Sequence, residues 1–449
     1  MIEQARRPMT AVVLSSTLGT AIEWYDFFLY GTMATLVFPQ LFFPETDPLT
    51  RTLLALVTFL AGFVARPFGG ALFGHLGDRI GRKSTLVTTL LLMGISTLLI
   101  GFLPGYDAIG IVAPLLLTLL RVGQGLGVGG EWGGAVLLAL EYGEKERRGF
   151  WTSWPQMGGP AGLVTSTCIV NIVSMMTGEQ FLIWGWRIPF FVSALLILVG
   201  LFIRFQITET PLFEQVKQQN LAAKAPLLEV LKYNWPEVLL STGARFGDQA
   251  PFYLFSVFVI TYGTAVLKLD SSMILNAIML GAGLELFTIP LFGSLSDRYG
   301  RRFWFLTGCV LMGVFAFPYF WLLNSGNPVL VQLAIALSLC VLNAWLSAPL
   351  AVLIAERFET RFRYSGASLG YQLAAPFAGG LAPIVALLLL NGQTNLGALG
   401  LPQVSISIGE GSWQAVALYI VALSLISFAS AWWLKERREV DTSCLVKEA

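Results

Sequence analysis

Gly74-His75-Leu76-Gly77-Asp78-Arg79-Ile80-Gly81-Arg82-Lys83 recurs 219 residues later as Gly293-Ser294-Leu295-Ser296-Asp297-Arg298-Tyr299-Gly300-Arg301-Arg302. Ten positions align without a gap, with Gly, Leu, Asp, Arg, Gly and Arg identical and a basic residue closing both. Each decad follows an apolar stretch of about 20 residues, enough to cross a hydrocarbon core of ~30 Å. Working outward, such stretches fall near 11–38, 52–74, 84–103, 109–140, 150–176 and 184–207, and again near 237–266, 271–295, 303–323, 328–356, 364–391 and 412–434. The decads therefore close the second and the eighth span of a duplicated all-α membrane protein with twelve transmembrane helices. Its expected parts are a six-helix half over 1–207, a polar linker over 208–236, a second half over 237–434 and a tail over 435–449. Six-span repeats related by an axis along the membrane normal place a substrate site near the midplane between them. Glycine- and proline-rich spans 4, 5 and 11 are expected to be kinked or closely packed.

Composition agrees with lipid as the solvent. Hydrophobic residues make up 55% of the chain and charged residues 12%, with mean hydropathy +0.70, against about 25% charge in soluble proteins. Lys+Arg 28 against Asp+Glu 27 offers no field for nucleic acid. Cys168, Cys309, Cys340 and Cys444 lack CxxC spacing and His75 is the lone histidine, so neither a disulfide framework nor a histidine-based metal or catalytic site is expected. No G-x-x-x-x-G-K-[ST] loop suggests a membrane NTPase. Arg6 and Arg7 precede an apolar stretch carrying Glu23 and Asp26, which reads as a retained first span rather than a signal peptide. With the N-terminus inside, 22 of the 28 basic residues fall on the cytoplasmic side, Arg51, Arg187 and Lys268 fall outside, and Arg66, Arg121 and Arg245 lie within spans. The positive-inside rule then makes both termini cytoplasmic.

The pattern G-x-L-x-D-R-x-G-R-[KR] after spans 2 and 8 resembles the signature of the major facilitator superfamily. Within it, three further stretches are similar to the metabolite:H+ symporter branch. They are Glu23-Trp24-Tyr25-Asp26-Phe27-Phe28-Leu29-Tyr30-Gly31, Arg121-Val122-Gly123-Gln124-Gly125 through Gly129-Gly130-Glu131-Trp132, and Arg363-Tyr364-Ser365-Gly366-Ala367-Ser368. The resemblance implies a monomeric bacterial inner-membrane importer of a small carboxylate or zwitterion, coupled to H+ and needing no other cofactor. It also implies that the decads form a cytoplasmic latch holding spans 2 and 11 together. The latch would comprise Gly77, Asp78, Arg79, Gly81 and Arg82 with Asp297, Arg298 and Arg302. Arg82 and Arg302 would supply its cations, and Glu141, Glu356 or Glu359 their partners. Gly77 and Gly81 permit a tight turn, and Asp78 precedes span 3, whose N-terminus favours a carboxylate. Osmolyte-sensing members of the branch carry a long C-terminal coiled coil, whereas Lys435 to Ala449 shows no heptads, so osmosensing is not expected.

An ionisable side chain at the bilayer centre costs roughly 2.5–3.5 kcal/mol even on the lenient insertion scale, so each needs a partner or a purpose. Glu23, Asp26 and Tyr30 are spaced i, i+3, i+7, one stripe of a helix, expected to face the bundle interior. Two carboxylates this close repel when both are ionised, as a proton carrier working near neutral pH requires. Arg121, Gln124 and Glu131 share a side of span 4, with opposite charges about 15 Å apart at ~1.5 Å per residue. The resemblance marks Arg121 as a position that tunes proton coupling, so it is expected to pair with Asp26 or Glu23 in one state and release it in another; the alternative is a permanent structural pair. In the second half, Arg245 and Asp248 share a face of span 7 with Phe252, and span 8 contributes Glu285. The 219-residue offset sets Arg245 against Asp26, opposite charges at matching positions. Arg245 suits bidentate grip of a substrate carboxylate unless Asp248 or Glu285 occupies it. Tyr371 and Gln372 are candidates for substrate hydroxyls, with Tyr30 and Gln124 also assigned to substrate binding and Glu131 to proton coupling. Arg66 either snorkels to the surface or points inward. Competing functions are proton-coupled efflux of amphipathic drugs, which predicts a wide apolar cavity, and a sensor without transport, which predicts no paired span charges.

Overall fold

The structure, a computed structural model, describes residues 9–44, 48–205, 225–391, 393–395, 405–407 and 412–434. The tail over 435–449 and most of the linker lie outside them. Long apolar runs become helices because only a helix satisfies every backbone group within one segment in lipid. The main helices are α1 (Met9–Leu36), α2 (Pro48–Ile80), α3 (Arg82–Phe102), α4 (Val112–Tyr142), α5 (Lys145–Phe181) and α6 (Gly185–Phe205). They continue as α7 (Trp235–Val266), α8 (Ser271–Tyr299), α9 (Arg301–Leu323), α10 (Pro328–Ala355), α11 (Thr360–Leu390) and α12 (Trp413–Trp433). Among the described residues, the eleven from α2 to α12 are long and apolar enough to cross a membrane. α1 is 28 residues long but carries Glu23 and Asp26. Large apolar side chains such as Leu119, Phe202, Phe287 and Val314 stay exposed, as a lipid-facing surface requires.

α2 and α4 pack along their length, with α3 on α4 and α6 and α1 on α5 and α4; α12 packs on α7 and α9, and α8 on α10. The two groups meet where α2 touches α11 and where α5 touches α8 and α10. Between α2 and α3, and again between α8 and α9, the chain turns on one residue: Gly81 at φ 119° and Gly300 at φ 103°, a region that favours glycine. Gly77 is not part of that turn. It lies inside α2 and lets the Tyr364 ring pack against the helix, where a Cβ would collide.

Three expectations are refined. Of the spans expected to be kinked or closely packed, α4 is the closely packed one: it is unbroken, and its glycines give backbone contact with α2, as where Gly129 meets the Arg66 carbonyl. The irregular helices are α5, which divides at Met157, and α7, α10 and α11, which contain π turns at Leu254–Phe258, Ser338–Asn343 and Ala375–Gly380. Part of the polar linker is a helix, Pro226–Tyr233, seated on α2 and α11. Finally, the all-α description omits a small ribbon between α11 and α12, in which β1 (Gln393–Asn395) pairs antiparallel with β2 (Ser405–Ser407), Thr394 opposite Ile406.

Candidate substrate cavity, charge cluster and latch

A partly open cavity with about 460 Å³ of space, solvent included, lies where the two groups of helices meet. α7 supplies Arg245, Asp248, Gln249 and Tyr253, α8 Glu285, α10 Asn343 and Ser347, and α11 Tyr371; Trp24 of α1 and Gln156 of α5 complete the opposite wall. Pro251 and the π turn that follows it re-aim α7 at this level. Arg245 forms an ion pair with Asp248 one turn on and stacks 3.8 Å above the Tyr371 ring, whose other contact is Trp132, parallel at 3.5 Å and 11°. The Trp132 indole donates to Gln156 Oε1 at 2.7 Å, and Gln156 Nε2 donates to the Ser347 carbonyl at 3.2 Å. Asn343 Nδ2 donates to the Asp248 carbonyl at 3.2 Å. Glu285 is buried, in no ion pair, and its Oε2 has no hydrogen-bond partner.

The cavity thus gathers Arg245, Asp248, Glu285 and Tyr371. It does not gather Tyr30, Gln124 or Gln372. Tyr30 Oη donates to Thr58 Oγ1 at 2.7 Å, Gln124 Nε2 donates to Thr97 Oγ1 at 2.7 Å, and Gln372 Nε2 donates to the Val128 carbonyl at 3.3 Å.

The stripe on α1 is real but faces elsewhere. Trp24 takes the cavity wall, and Phe28 meets Phe252 across the groups at 5.8 Å. Glu23, Asp26 and Tyr30 therefore turn into the packed interior formed by α2, α3, α4 and α6. There Arg204, from the last turn of α6, bonds Glu131 and stands 3.5 Å from Glu23, while its Nη1 donates to the Leu86 carbonyl at 2.6 Å. Asp26 faces Ser193 and Thr97. Glu23 and Glu131 share that guanidinium, and Asp26 lies near Glu23 outside the ion pairs. Arg204 was not among the expected residues, because a lone arginine ending a span reads as a topology signal.

Arg121 pairs with neither Asp26 nor Glu23. Its Nη1 donates to Gln124 Oε1 at 2.9 Å, and its guanidinium lies 3.9 Å over Phe27, 4.3 Å over Tyr30 and 4.9 Å over Phe59. Those rings fill the path to the acids. Arg66 does not snorkel either: it is 1% exposed and caged by Trp24, Phe27 and Phe63.

The decads build two matching clasps. Asp78 accepts from the backbone of Tyr364 and Ser365 at 3.3 and 2.9 Å and from the Ser365 hydroxyl at 2.8 Å. It therefore caps the helix that starts at Arg363, not α3. Asp297 accepts from the backbone of Gly149 and Phe150 at 2.8 and 2.9 Å, capping the helix that starts at Arg148. Glu141 pairs with Arg82 and, at 3.8 Å, with Arg363; Glu356 pairs with Arg301 and, at 3.0 Å, with Arg148. The second cation is Arg301 rather than Arg302, which instead donates to the Ala431 and Trp432 carbonyls. The repeat itself held that signal, since Arg301 matches Arg82 in the alignment. Arg79 and Arg298 are exposed and take no part in these bonds. Charge-assisted caps and bridged pairs at both junctions tie the two groups of helices together at this end.

A bundle of this kind, with a polar cavity between two groups of helices and clasps at one end, defines a membrane carrier rather than an enzyme. The profile of the Major Facilitator Superfamily matches residues 9–383, and the chain belongs to that superfamily as a multi-pass transporter. It is 42% identical over 413 residues to the inner membrane metabolite transport protein YhjE of Escherichia coli (strain K12), covering 89% of this chain and 92% of that one. It is 39% identical over 446 residues to the shikimate transporter of the same organism, covering 97% and 95%. With the E. coli proline/betaine transporter it shares 36% over 397 residues, covering 86% and 78%. The proton:xylose symporter XylE, bound to 6-bromo-6-deoxy-D-glucose, has the same fold at TM-score 0.72 with 15% identity, covering 95% of this chain and 96% of that one. Relatives of this kind place the protein in the bacterial inner membrane.

Proposed function

We propose that the protein imports a small organic carboxylate or zwitterion together with protons, by alternating access between halves 1–207 and 237–434 joined through 208–236. α1 serves as the twelfth span, both termini are cytoplasmic, and the clasps close the cytoplasmic end while the site faces outward. The observation that carries proton coupling is a buried acid surplus: Glu23 and Glu131 share Arg204, and Asp26 lies near Glu23 in no ion pair. In a water-poor interior such a set tolerates one more proton better than one more negative charge. Asp26, which lacks an ion pair, is the proton carrier, and Arg121 holds a fixed positive charge in the same half behind the Phe27, Tyr30 and Phe59 rings. Substrate binds in the cavity, where Arg245 and Asp248 form a neutral polar wall and Glu285, Tyr371 and Gln249 supply further contacts. The names of the relatives, which include a shikimate and a proline/betaine transporter, support a substrate of this size. A wide apolar cavity, as drug efflux needs, is not what lines this site.

Uptake into proteoliposomes tests the reading. Radiolabelled shikimate, proline and glycine betaine are offered with an acidic exterior, with and without a protonophore. Accumulation of one of them that the protonophore abolishes is the expected result. Substrate extrusion driven by the same gradient would point to the efflux alternative.

A further inference from the structure

The central cavity contains a guanidinium already paired, that of Arg245, and a carboxyl that is not, that of Glu285. A second, unpaired guanidinium stands just behind its wall. Arg66 of α2 lies 5.0 Å from the Trp24 ring and 5.3 Å from Phe63. Trp24 lines the cavity, and Phe63 packs edge-on at 5.1 Å against Tyr253, which lines it too. Arg66 Nε and Nη1 have no hydrogen-bond partner, the Tyr253 hydroxyl faces the guanidinium, and among the described residues Arg66 is in no ion pair. Aromatic faces compensate a buried cation only in part, and a guanidinium cannot shed its proton to escape the cost. Among the described residues Arg121 is the other fully buried arginine in no ion pair, but its guanidinium is covered by Phe27, Tyr30 and Phe59 and bonded to Gln124.

We propose that Arg66, together with the Tyr253 hydroxyl, receives the carboxylate of the transported substrate, and that the substrate class is hydroxylated monocarboxylates. This rests on the carboxylate-importer reading above. One unpaired guanidinium adjoins the cavity, so one carboxylate is matched; a second would have to displace Asp248 or face Glu285. Gln249 Oε1 and Ser347 Oγ also line the cavity without partners. A quaternary ammonium would leave both unsatisfied, whereas ring or chain hydroxyls satisfy them, and sites built to hydrogen-bond discriminate most strongly on that basis. Trp24, touching both Arg66 and the cavity, is the partition that shifts when the carboxylate arrives. Arg245 is then a positioning residue, held by Asp248 and Tyr371.

Binding to the purified full chain by calorimetry tests this, with shikimate, its methyl ester, succinate and glycine betaine as probes. Arg66→Gln is expected to weaken shikimate at least about tenfold while leaving the ester within about twofold of wild type. Arg66→Lys should fall between, and Tyr253→Phe, which keeps the ring packing, should weaken shikimate several-fold and the ester less. Wild-type affinity for shikimate in Arg66→Gln, or equal loss of acid and ester, overturns the assignment of Arg66 while the importer reading stands. Succinate or glycine betaine binding more tightly than shikimate overturns the substrate class. If the wild type binds no carboxylate at all, the importer reading fails and this proposal with it.

Discussion

The two halves agree at their ends and disagree in their interiors. At the clasps, Asp78 and Asp297 each cap a helix of the other half, and Glu141 and Glu356 each bridge two arginines. In the interior, Asp26 and Arg245 occupy matching positions with opposite charge. The first half buries an acid surplus around Arg204 away from the cavity, and the second lines the cavity with a neutralised pair and a lone Glu285. Closing one end of a two-part carrier asks the same of both halves, and the repeat is kept there. On the proposed function, holding protons and holding substrate ask different things, and the repeat is lost there.

Breaking the acid cluster gives the largest expected effect. Arg204→Gln leaves Glu23 and Glu131 buried without a cation and should cost about 3–5 kcal/mol, the range for breaking a buried pair. Thermal unfolding in detergent reads this, and adding Glu23→Gln should return part of the loss. An unchanged midpoint would show that the cluster is not a charge set. Asp26→Asn comes next: it should abolish proton-driven accumulation yet keep substrate exchange, because binding and rocking persist without the titrating group. Unimpaired accumulation removes Asp26 from the coupling path.

The clasps sharpen the symmetric side of the comparison. Asp78→Ala and Asp297→Ala should each weaken closure by about 0.5–2 kcal/mol through loss of a charged cap. Asp297 also bonds Arg301 at 3.1 Å and Asp78 also accepts from the Ser365 hydroxyl at 2.8 Å, so the two losses should be similar. The rate of maleimide labelling at Ser347→Cys, from the loop side and in a background lacking native cysteines, measures the opening; a rate that rises for one variant alone contradicts matched clasps. The smallest effect belongs to Tyr371. Tyr371→Phe keeps the stack between Trp132 and Arg245 and should change stability by less than about 0.5 kcal/mol, whereas Tyr371→Leu should cost about 0.5–1.5 kcal/mol.

Spans, duplication and the decads were legible because lipid leaves the chain few options and because a glycine turn with fixed charges repeats visibly. Arg245, Asp248, Glu285 and Tyr371 were legible as polar residues in spans that reach the cavity. The direction of the α1 stripe was not. Angular spacing shows that Glu23, Asp26 and Tyr30 share a face, but only packing shows that Trp24 and Phe28 claim the cavity side. Arg204 escaped because a span-ending arginine also serves topology, and Asp78 was matched to the nearest helix in sequence rather than the one folded against it. Arg66 had two open readings, since its side chain is long enough for both; the ring cage of Trp24, Phe27 and Phe63 decided between them.

Substrate-induced proton movement tests the central claim most directly. Proteoliposomes in weakly buffered medium, with no imposed gradient, receive substrate while external pH is followed. The account predicts alkalinisation of the medium with wild type and none with Asp26→Asn. Acidification with wild type, or full alkalinisation with Asp26→Asn, contradicts it.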